Sequence, residues 1–139
     1  SLGRNCIKKL EKLDELINLE QLWISYNQIE SLNGLSNLHK LRILYISNNR
    51  IRKFDELNKL ISLQLEELII ANNPMYEGLD DTEIRKQIIH RLPTLKKLDG
   101  FPVTERERLA ANNMKDDEVI NDVNDYQRKR KHKTKEEKK

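Results

Sequence analysis

The amino-acid sequence predicts an α/β solenoid built from short stacked repeats, and three observations support this prediction. Leucine and isoleucine alternate with more polar residues in strand-like stretches, for example across residues 19–27. An asparagine follows each stretch, and successive asparagines lie 22, 22 and 24 residues apart. Between the strands, leucine recurs at every third residue, as it does across residues 32–41. A repeat of this period indicates units that stack side by side, because one unit cannot bury its apolar face alone.

Each strand and its asparagine follow the spacing L-x-x-L-x-L-x-x-N, which is the leucine-rich-repeat signature. The pattern therefore predicts a leucine-rich-repeat solenoid of the short, 22-residue class. Each asparagine stands where the chain turns off its strand, so its buried amide must bond backbone groups of its own turn and of the neighbouring turn. We therefore assign a structural ladder, and no catalytic role, to four residues: Asn5, Asn27, Asn49 and Asn73.

The return segments between strands are residues 7–19, 29–41 and 51–65. Their leucines lie three residues apart and show no long helical pattern, so we expect short 3₁₀ or α turns on the convex side. The third return is two residues longer than the second, which predicts a small bulge or an extra helical turn around residues 61–64.

A change of pattern follows the fourth asparagine. Residues 80–82 offer side chains that can cap a helix, in which Ile84, Ile88 and Leu92 recur four apart until Pro93 ends it. The sequence therefore predicts a helix that closes the repeat array.

The sequence predicts one last short strand and a turn after this helix, at residues 95–100. We predict that residues 1–103 form the repeat domain and that a helix-containing cap covers about residues 74–103. Residues 104–139 are predicted to be a charged extension, which begins with a capping-box pattern and a short helix. A second, weakly amphipathic stretch is predicted at four apolar residues: Val119, Ile120, Val123 and Tyr126.

The charge distribution separates the repeat body from the C-terminal tail. Residues 128–139 contain eight basic and two acidic side chains, whereas the rest of the chain contains 18 basic and 21 acidic ones. We therefore expect a disordered basic tail, and a body that does not bind nucleic acid directly. No apolar run reaches the length of a membrane span, and the single cysteine, Cys6, excludes an internal disulfide and indicates a reducing compartment.

The sequence contains no pattern that predicts catalysis. The three histidines are scattered without cysteine or carboxylate at ligand spacing, and the glycine-rich phosphate-binding and nucleophile motifs are absent. We expect a binding protein that is not an enzyme, with no cofactor, no metal and no small-molecule substrate. Because Ser1 is not a natural start and the first strand has no capping segment, we also expect an N-terminally truncated version of a longer protein.

The outward strand positions are the predicted partner-binding surface, because the inward positions are committed to the core. In register, Trp23, Tyr45 and Ile69 form an exposed apolar ridge beside small residues. Such a ridge is typical of a docking surface, although it could instead cover strand edges or pack on a terminal segment. The predicted partner-binding residues are Gln21, Trp23, Ser25, Ile43, Tyr45, Ser47, Glu67 and Ile69.

A family resemblance adds a specific expectation. The run LWISYNQIE at residues 22–30, followed by LYISNN at 44–49, closely resembles the leucine-rich-repeat light chains of axonemal outer-arm dynein. The opening residues 1–5, Gly34 and the ending at residues 92–100 resemble them too, so the resemblance spans residues 1–103. It implies a cylinder-like repeat domain without a cofactor, which binds a dynein heavy chain near its microtubule-binding stalk through the strand face.

The same resemblance implies a location in the cytoplasm, on the cytoskeleton of the ciliary or flagellar axoneme. The basic tail departs from the acidic ending expected of that family. Beside an acidic microtubule surface, the tail is expected to make contact through four residues: Arg128, Lys129, Arg130 and Lys131. The alternative is that the tail is only a solvated, solubilising terminus. Two other classes share the repeat and the cap: a regulatory subunit of a protein phosphatase, and a subunit of a spliceosomal particle.

Overall fold

The computed structural model describes residues 6, 8, 10, 13 and 15–122. Five strands form one sheet in the order β1-β2-β3-β4-β5, in which the first four are parallel and the last is antiparallel to β4. The strands are β1 Gln21–Trp23, β2 Ile43–Tyr45, β3 Glu67–Ile69, β4 Lys97–Leu98 and β5 Phe101–Pro102. The helices are α1 Asp81–Arg91 and α2 Glu105–Asn112, with 3₁₀ helices at Phe54–Leu63, Pro74–Tyr76 and Asp116–Glu118.

The repeat period places equivalent residues side by side across the sheet. Leu22 pairs with Leu44, Leu44 with Leu68, and Leu68 with Leu98, and all four are buried. Because side chains alternate along a strand, the outward neighbours of these leucines form parallel rows on the opposite face. The predicted leucine-rich-repeat solenoid is confirmed. The first strand motif, which includes Asn5, lies outside the described residues.

Two ladder asparagines, Asn49 and Asn73, bond the backbone of their own turn and of the preceding repeat. The Asn49 Nδ2 atom donates to the carbonyl oxygens of Ile24 and Ile46, at 3.1 and 3.0 Å, and Oδ1 accepts from the Ile29 N–H at 3.0 Å. Asn73 repeats this pattern one unit later, on Ile46, Ile70 and Ile51, while the Asn27 amide bonds the Ile24 carbonyl of its own turn. The side-chain oxygens of Asn49 and Asn73 therefore satisfy buried N–H groups that the turn would otherwise leave unpaired.

The third return is a 3₁₀ helix of ten residues, Phe54–Leu63. A 3₁₀ helix has three residues per turn, so a side chain at every third position faces the core, as Phe54, Leu57, Leu60 and Leu63 do. The extra turn predicted for this return is thus present, and it ends at Gln64, whose φ is 53°.

A hairpin that the sequence analysis missed closes the sheet. Asp99 and Gly100 have φ values of 51° and 86°, which suits a two-residue hairpin loop, and the chain then returns as β5. Pro102 is compatible with this strand, because β5 is an edge strand, where proline is tolerated.

The Arg85 guanidinium of α1 holds this hairpin. It donates to the carbonyl oxygens of Leu98, Phe101 and Pro102 at 2.8, 3.3 and 3.2 Å, and it forms an ion pair with Glu107 of α2. The hydrogen bond from Arg85 is the main reason that the pKa of Glu107 lies below its usual range. Glu107 also completes the predicted capping box with Thr104. One ion pair therefore joins both helices to the edge of the sheet.

The core continues beyond residue 103. Ala111 of α2 and Ile120 are buried in the same cluster as the repeat leucines. In the stretch predicted to be amphipathic, the backbone of Val119 is extended, at φ −73° and ψ 125°. Side chains of α1 bond the backbone of the adjacent Ile120, which replaces the bonds that a helix would supply. Val123 and Tyr126 lie outside the described residues.

Alkaline pH is expected to destabilise the fold through Tyr76. Burial and the neighbouring Asp99 carboxylate raise the pKa of the Tyr76 phenol far above its ordinary value of 10.0, and its hydroxyl donates to Asp99. The unfolded phenol therefore ionises first, so stability is fully present below pH 10 and falls as the pH rises above it.

The expected loss from Tyr76 is about 1.4 kcal/mol per pH unit once the unfolded phenol is ionised. The free energy of unfolding of the wild type and of Tyr76→Phe should be compared between about pH 9.5 and 11.5, which brackets the ordinary phenol pKa. The variant should show a shallower decline, because it lacks this phenol. Parallel curves would contradict the assignment.

Candidate binding face

The outward rows of the sheet bring together the residues that the sequence analysis selected. Trp23 pairs with Tyr45, and Tyr45 with Ile69, so these three side chains form one row, here called the aromatic ridge. Gln21, Ile43 and Glu67 form a second row in the same register. None of these side chains lies in the buried core, which matches their predicted outward orientation.

The two aromatic rings of the ridge stack on each other. The ring centroids of Trp23 and Tyr45 are 5.3 Å apart, and the ring planes differ by 11°. Trp23 is 47% exposed despite this stacking. The pair is therefore a large apolar surface whose rings already hold each other in place, so a partner would spend little conformational entropy in ordering them.

Tyr45 is further oriented by Glu67 on the next strand. Its hydroxyl donates to the Glu67 carboxylate at 3.0 Å. Partial burial, and then this hydrogen bond, raise the pKa of Tyr45 above its ordinary value of 10.0. The hydroxyl is therefore a donor at neutral pH. The Tyr45 ring is held by stacking on Trp23 and by the hydrogen bond from its hydroxyl to Glu67.

Small side chains, two of them hydroxyls, line one flank of the aromatic ridge. The Ser47 hydroxyl donates to that of Ser25 at 3.0 Å, and Ala71 follows in the same row, where its carbonyl accepts from the Asn48 N–H. Because these residues are short, the aromatic rings stand above them. The face therefore has a protruding apolar ridge beside a low polar strip, a shape suited to a partner surface with a complementary groove.

Two residues on this side of the molecule were missed by the sequence analysis. Lys97 of β4 pairs with Glu67 and extends the row of Gln21 and Ile43 to a fourth strand. The spacing of Leu95 and Leu98 is the signal that could have found it. Tyr26 is 53% exposed and has a φ of 60°, a backbone conformation shared by the residues that precede the other two described ladder asparagines.

The described residues contain no cluster of three or more histidine, cysteine or acidic side chains that could hold a metal ion. Within the same part of the chain, no helix is long and apolar enough to cross a membrane. The predicted microtubule-contacting residues 128–131 lie outside the described residues.

Comparison with known proteins supports the repeat fold and finds a similar curated protein. The family model for leucine-rich repeats (two copies) matches residues 17–59. A curated protein, the dynein axonemal light chain 1 of Chlamydomonas reinhardtii, is 54% identical over 118 residues, which cover 81% of this chain. The chain spans 60% of the length of that protein.

Solved structures show the same fold at lower identity. The Drosophila melanogaster SNF/U2A′ complex matches with a TM-score of 0.55 at 20% identity, over 77% of this chain and 75% of that one. An internalin (inlF) of Listeria monocytogenes matches with the same TM-score of 0.55 at 30% identity, over 80% of this chain and 31% of that one. The first likeness concerns the fold alone.

Proposed function

Because the chain is a leucine-rich-repeat protein similar to axonemal dynein light chain 1, we propose that it is a non-catalytic light chain of an axonemal dynein. In this proposal the strand face docks on the dynein heavy chain near its microtubule-binding stalk and modulates the motor in the cilium or flagellum. The single observation that supports docking through this face is the stacked, half-exposed pair of Trp23 and Tyr45.

Leaving an apolar ridge of this size in water is costly. Large aromatic side chains that are exposed on a rigid sheet are typical anchors of protein interfaces. Trp23 and Tyr45 hold each other, and Glu67 holds Tyr45, so the anchors are ordered before a partner arrives. Pre-ordered anchors lower the entropy cost of association.

The two other classes considered, a phosphatase regulator and a spliceosomal subunit, share the repeat and the cap. An identity of 54% to a dynein light chain favours the dynein class, whereas the likeness to the SNF/U2A′ complex at 20% identity concerns the fold alone. We therefore retain the dynein proposal as the function that the chain supports best.

Direct titration tests this proposal. A purified stalk-tip fragment of an axonemal outer-arm heavy chain is titrated with this chain, and a tail-region fragment of the same heavy chain is the matched control. We expect saturable binding to the stalk-tip fragment and none to the tail fragment. Binding to both fragments or to neither would contradict the proposed docking site.

The basic tail gives a second, independent prediction. Residues 128–139 carry a formal charge of +6, so they should attract the acidic surface of a microtubule without regard to sequence. This attraction should weaken as salt increases, because the Debye length falls to about 8 Å near physiological ionic strength.

We expect weak, salt-sensitive co-sedimentation of the chain with microtubules, and its loss when the chain is cut after Gln127. The measurement compares full-length and shortened protein over a salt series. If both forms pellet alike at low salt, the tail is only a solvated end.

A further inference from the structure

We propose that the groove between α1 and the start of the 3₁₀ helix Phe54–Leu63 is a peptide-recognition site, which the chain's own residues 118–121 occupy and can leave. This segment follows α2 and crosses back over the repeat body. The proposal concerns a site away from the strand face, so it does not depend on dynein binding.

Gln87 recognises the main chain of this segment. Its side chain is fully buried, with Oε1 accepting from the Ile120 N–H at 2.9 Å and Nε2 donating to the Glu118 carbonyl oxygen at 2.7 Å. Nε2 also donates to Glu83 at 2.8 Å, which fixes the orientation of the amide. One side-chain amide thus bonds both the C=O that ends the 3₁₀ helix Asp116–Glu118 and the N–H two residues later, the pair of groups that a neighbouring strand would bond.

Arg91 recognises the next part of the same segment. Its Nη2 atom donates to the Ile120 carbonyl oxygen and to Asn121 Oδ1, at 2.5 and 3.1 Å. Its guanidinium carbon lies 5.7 Å from the centre of the Phe54 ring, and Nη1 donates to Gln87. Arg91 is itself buried, so the carbonyl and amide oxygens of the bound segment help to satisfy a charged group in the groove.

Ile120 supplies the apolar anchor of the bound segment. It is only 4% exposed and belongs to the main core cluster, whereas Val119 before it is half-buried and Asn121 after it is exposed. The backbone oxygen of Asn121 accepts from the Asp55 N–H at 3.4 Å, so the segment also reaches the start of the 3₁₀ helix. The ligand class is therefore an extended peptide with one aliphatic side chain followed by a side-chain acceptor.

The connection to α2 allows the segment to separate from the groove. Residues 112–118 are exposed except for the half-buried Met114, so Ile120 is the one buried side chain after Ala111 in the described part of the chain. A segment with so little buried apolar surface opens locally at a lower free energy than the whole domain. We infer that the segment behaves as a tethered ligand rather than as an inseparable part of the core.

Hydrogen exchange on the unmodified full chain tests whether the segment leaves. The Ile120 N–H, which is bonded to Gln87, should exchange at least about tenfold faster than the Ile88 N–H in the middle of α1, because local opening releases only the former. Equal exchange rates for the two amides would overturn the proposal, since the segment would then leave only on global unfolding.

A synthetic peptide with the sequence of residues 114–122 tests whether the groove is a binding site. We expect it to bind the full-length Ile120→Asp variant at least about tenfold more tightly than the wild type, whose tethered segment competes at a millimolar effective concentration. Adding Gln87→Ala to that variant should weaken binding at least about fivefold, because an unpaired backbone group in a closed groove is costly.

A peptide that carries aspartate at the isoleucine position is the matched control, and it should bind neither protein. Circular dichroism establishes that each variant is folded, and Ile120→Ala replaces Ile120→Asp if the latter is not. Equal affinity for wild type and folded variant, or no binding to the folded variant, would overturn the proposal.

Discussion

Replacing Asn49 by alanine is expected to lower the free energy of unfolding by about 1–3 kcal/mol, the usual cost of a buried polar group left without its partner. The Asn49 amide serves the Ile29 N–H and the carbonyl oxygens of Ile24, Ile46 and Ser47. Ile29 is fully buried, so water cannot readily replace the lost acceptor. The substitution therefore leaves the Ile29 N–H without its acceptor, while the three carbonyl oxygens each keep one other donor, from Asn27, Asn73 and Tyr26.

Chemical denaturation measures this effect, with Asn58→Ala as the matched control. Asn58 is exposed on the long 3₁₀ helix, so its replacement should change stability by no more than about 0.5 kcal/mol. Asn49→Asp should cost at least as much as Asn49→Ala, because it keeps an acceptor for the Ile29 N–H but sets a buried carboxylate oxygen against the carbonyl oxygens that accepted from Nδ2. Equal stability of Asn49→Ala and the wild type would remove Asn49 from the ladder.

Replacing Trp23 by alanine is expected to weaken binding of the heavy-chain stalk tip by 2 kcal/mol or more, roughly thirtyfold, as for a central aromatic anchor. Trp23 is half-exposed, so the fold should lose little beyond the stacking with Tyr45, about 0.5–1.5 kcal/mol. Tyr45→Ala should have a similar effect on affinity, because it removes the other half of the stacked pair.

The matched control for the aromatic ridge is Ile61→Ala. Ile61 is 53% exposed, similar to Trp23, but it lies on the return side of the solenoid within the long 3₁₀ helix. Its replacement should leave affinity unchanged. Titration of the stalk-tip fragment distinguishes binding through the strand face from binding through the return side. Circular dichroism is the folding control. Unchanged affinity in both Trp23→Ala and Tyr45→Ala would exclude the strand face as the docking surface.

Tyr45→Phe separates the two contributions within the ridge. It keeps the ring that stacks on Trp23 and removes only the hydroxyl that bonds Glu67. A small loss of affinity would assign the anchor role to the apolar ring, whereas a loss as large as that of Tyr45→Ala would assign it to the orientation that Glu67 imposes.

The repeat strands were predictable because their signal is local and occurs several times. A leucine or isoleucine at each core position, with an asparagine three residues after the last, identifies β1, β2 and β3 and the buried side of each. The hairpin of β4 and β5 was not predictable in the same way. Each of its strands has two residues, and one strand contains a proline. The hairpin is held in place by Arg85, which belongs to α1.

The candidate face was predictable in its membership but not in its geometry. Register alone placed Trp23, Tyr45 and Ile69 in one row, because equivalent positions of stacked repeats lie side by side. The parallel stacking of the two rings and the bond from Tyr45 to Glu67 depend on side-chain rotamers, about which the repeat pattern carries no information.

The sequence by itself determined the solenoid, its ladder and the outward side chains, because all three follow from alternation and period along a short stretch of chain. Only the tertiary structure decided where the chain after residue 103 belongs. Ile120 enters the core because Gln87 and Arg91, about thirty residues earlier, bond its backbone. Contacts between such distant segments depend on packing in three dimensions, which a local pattern does not encode.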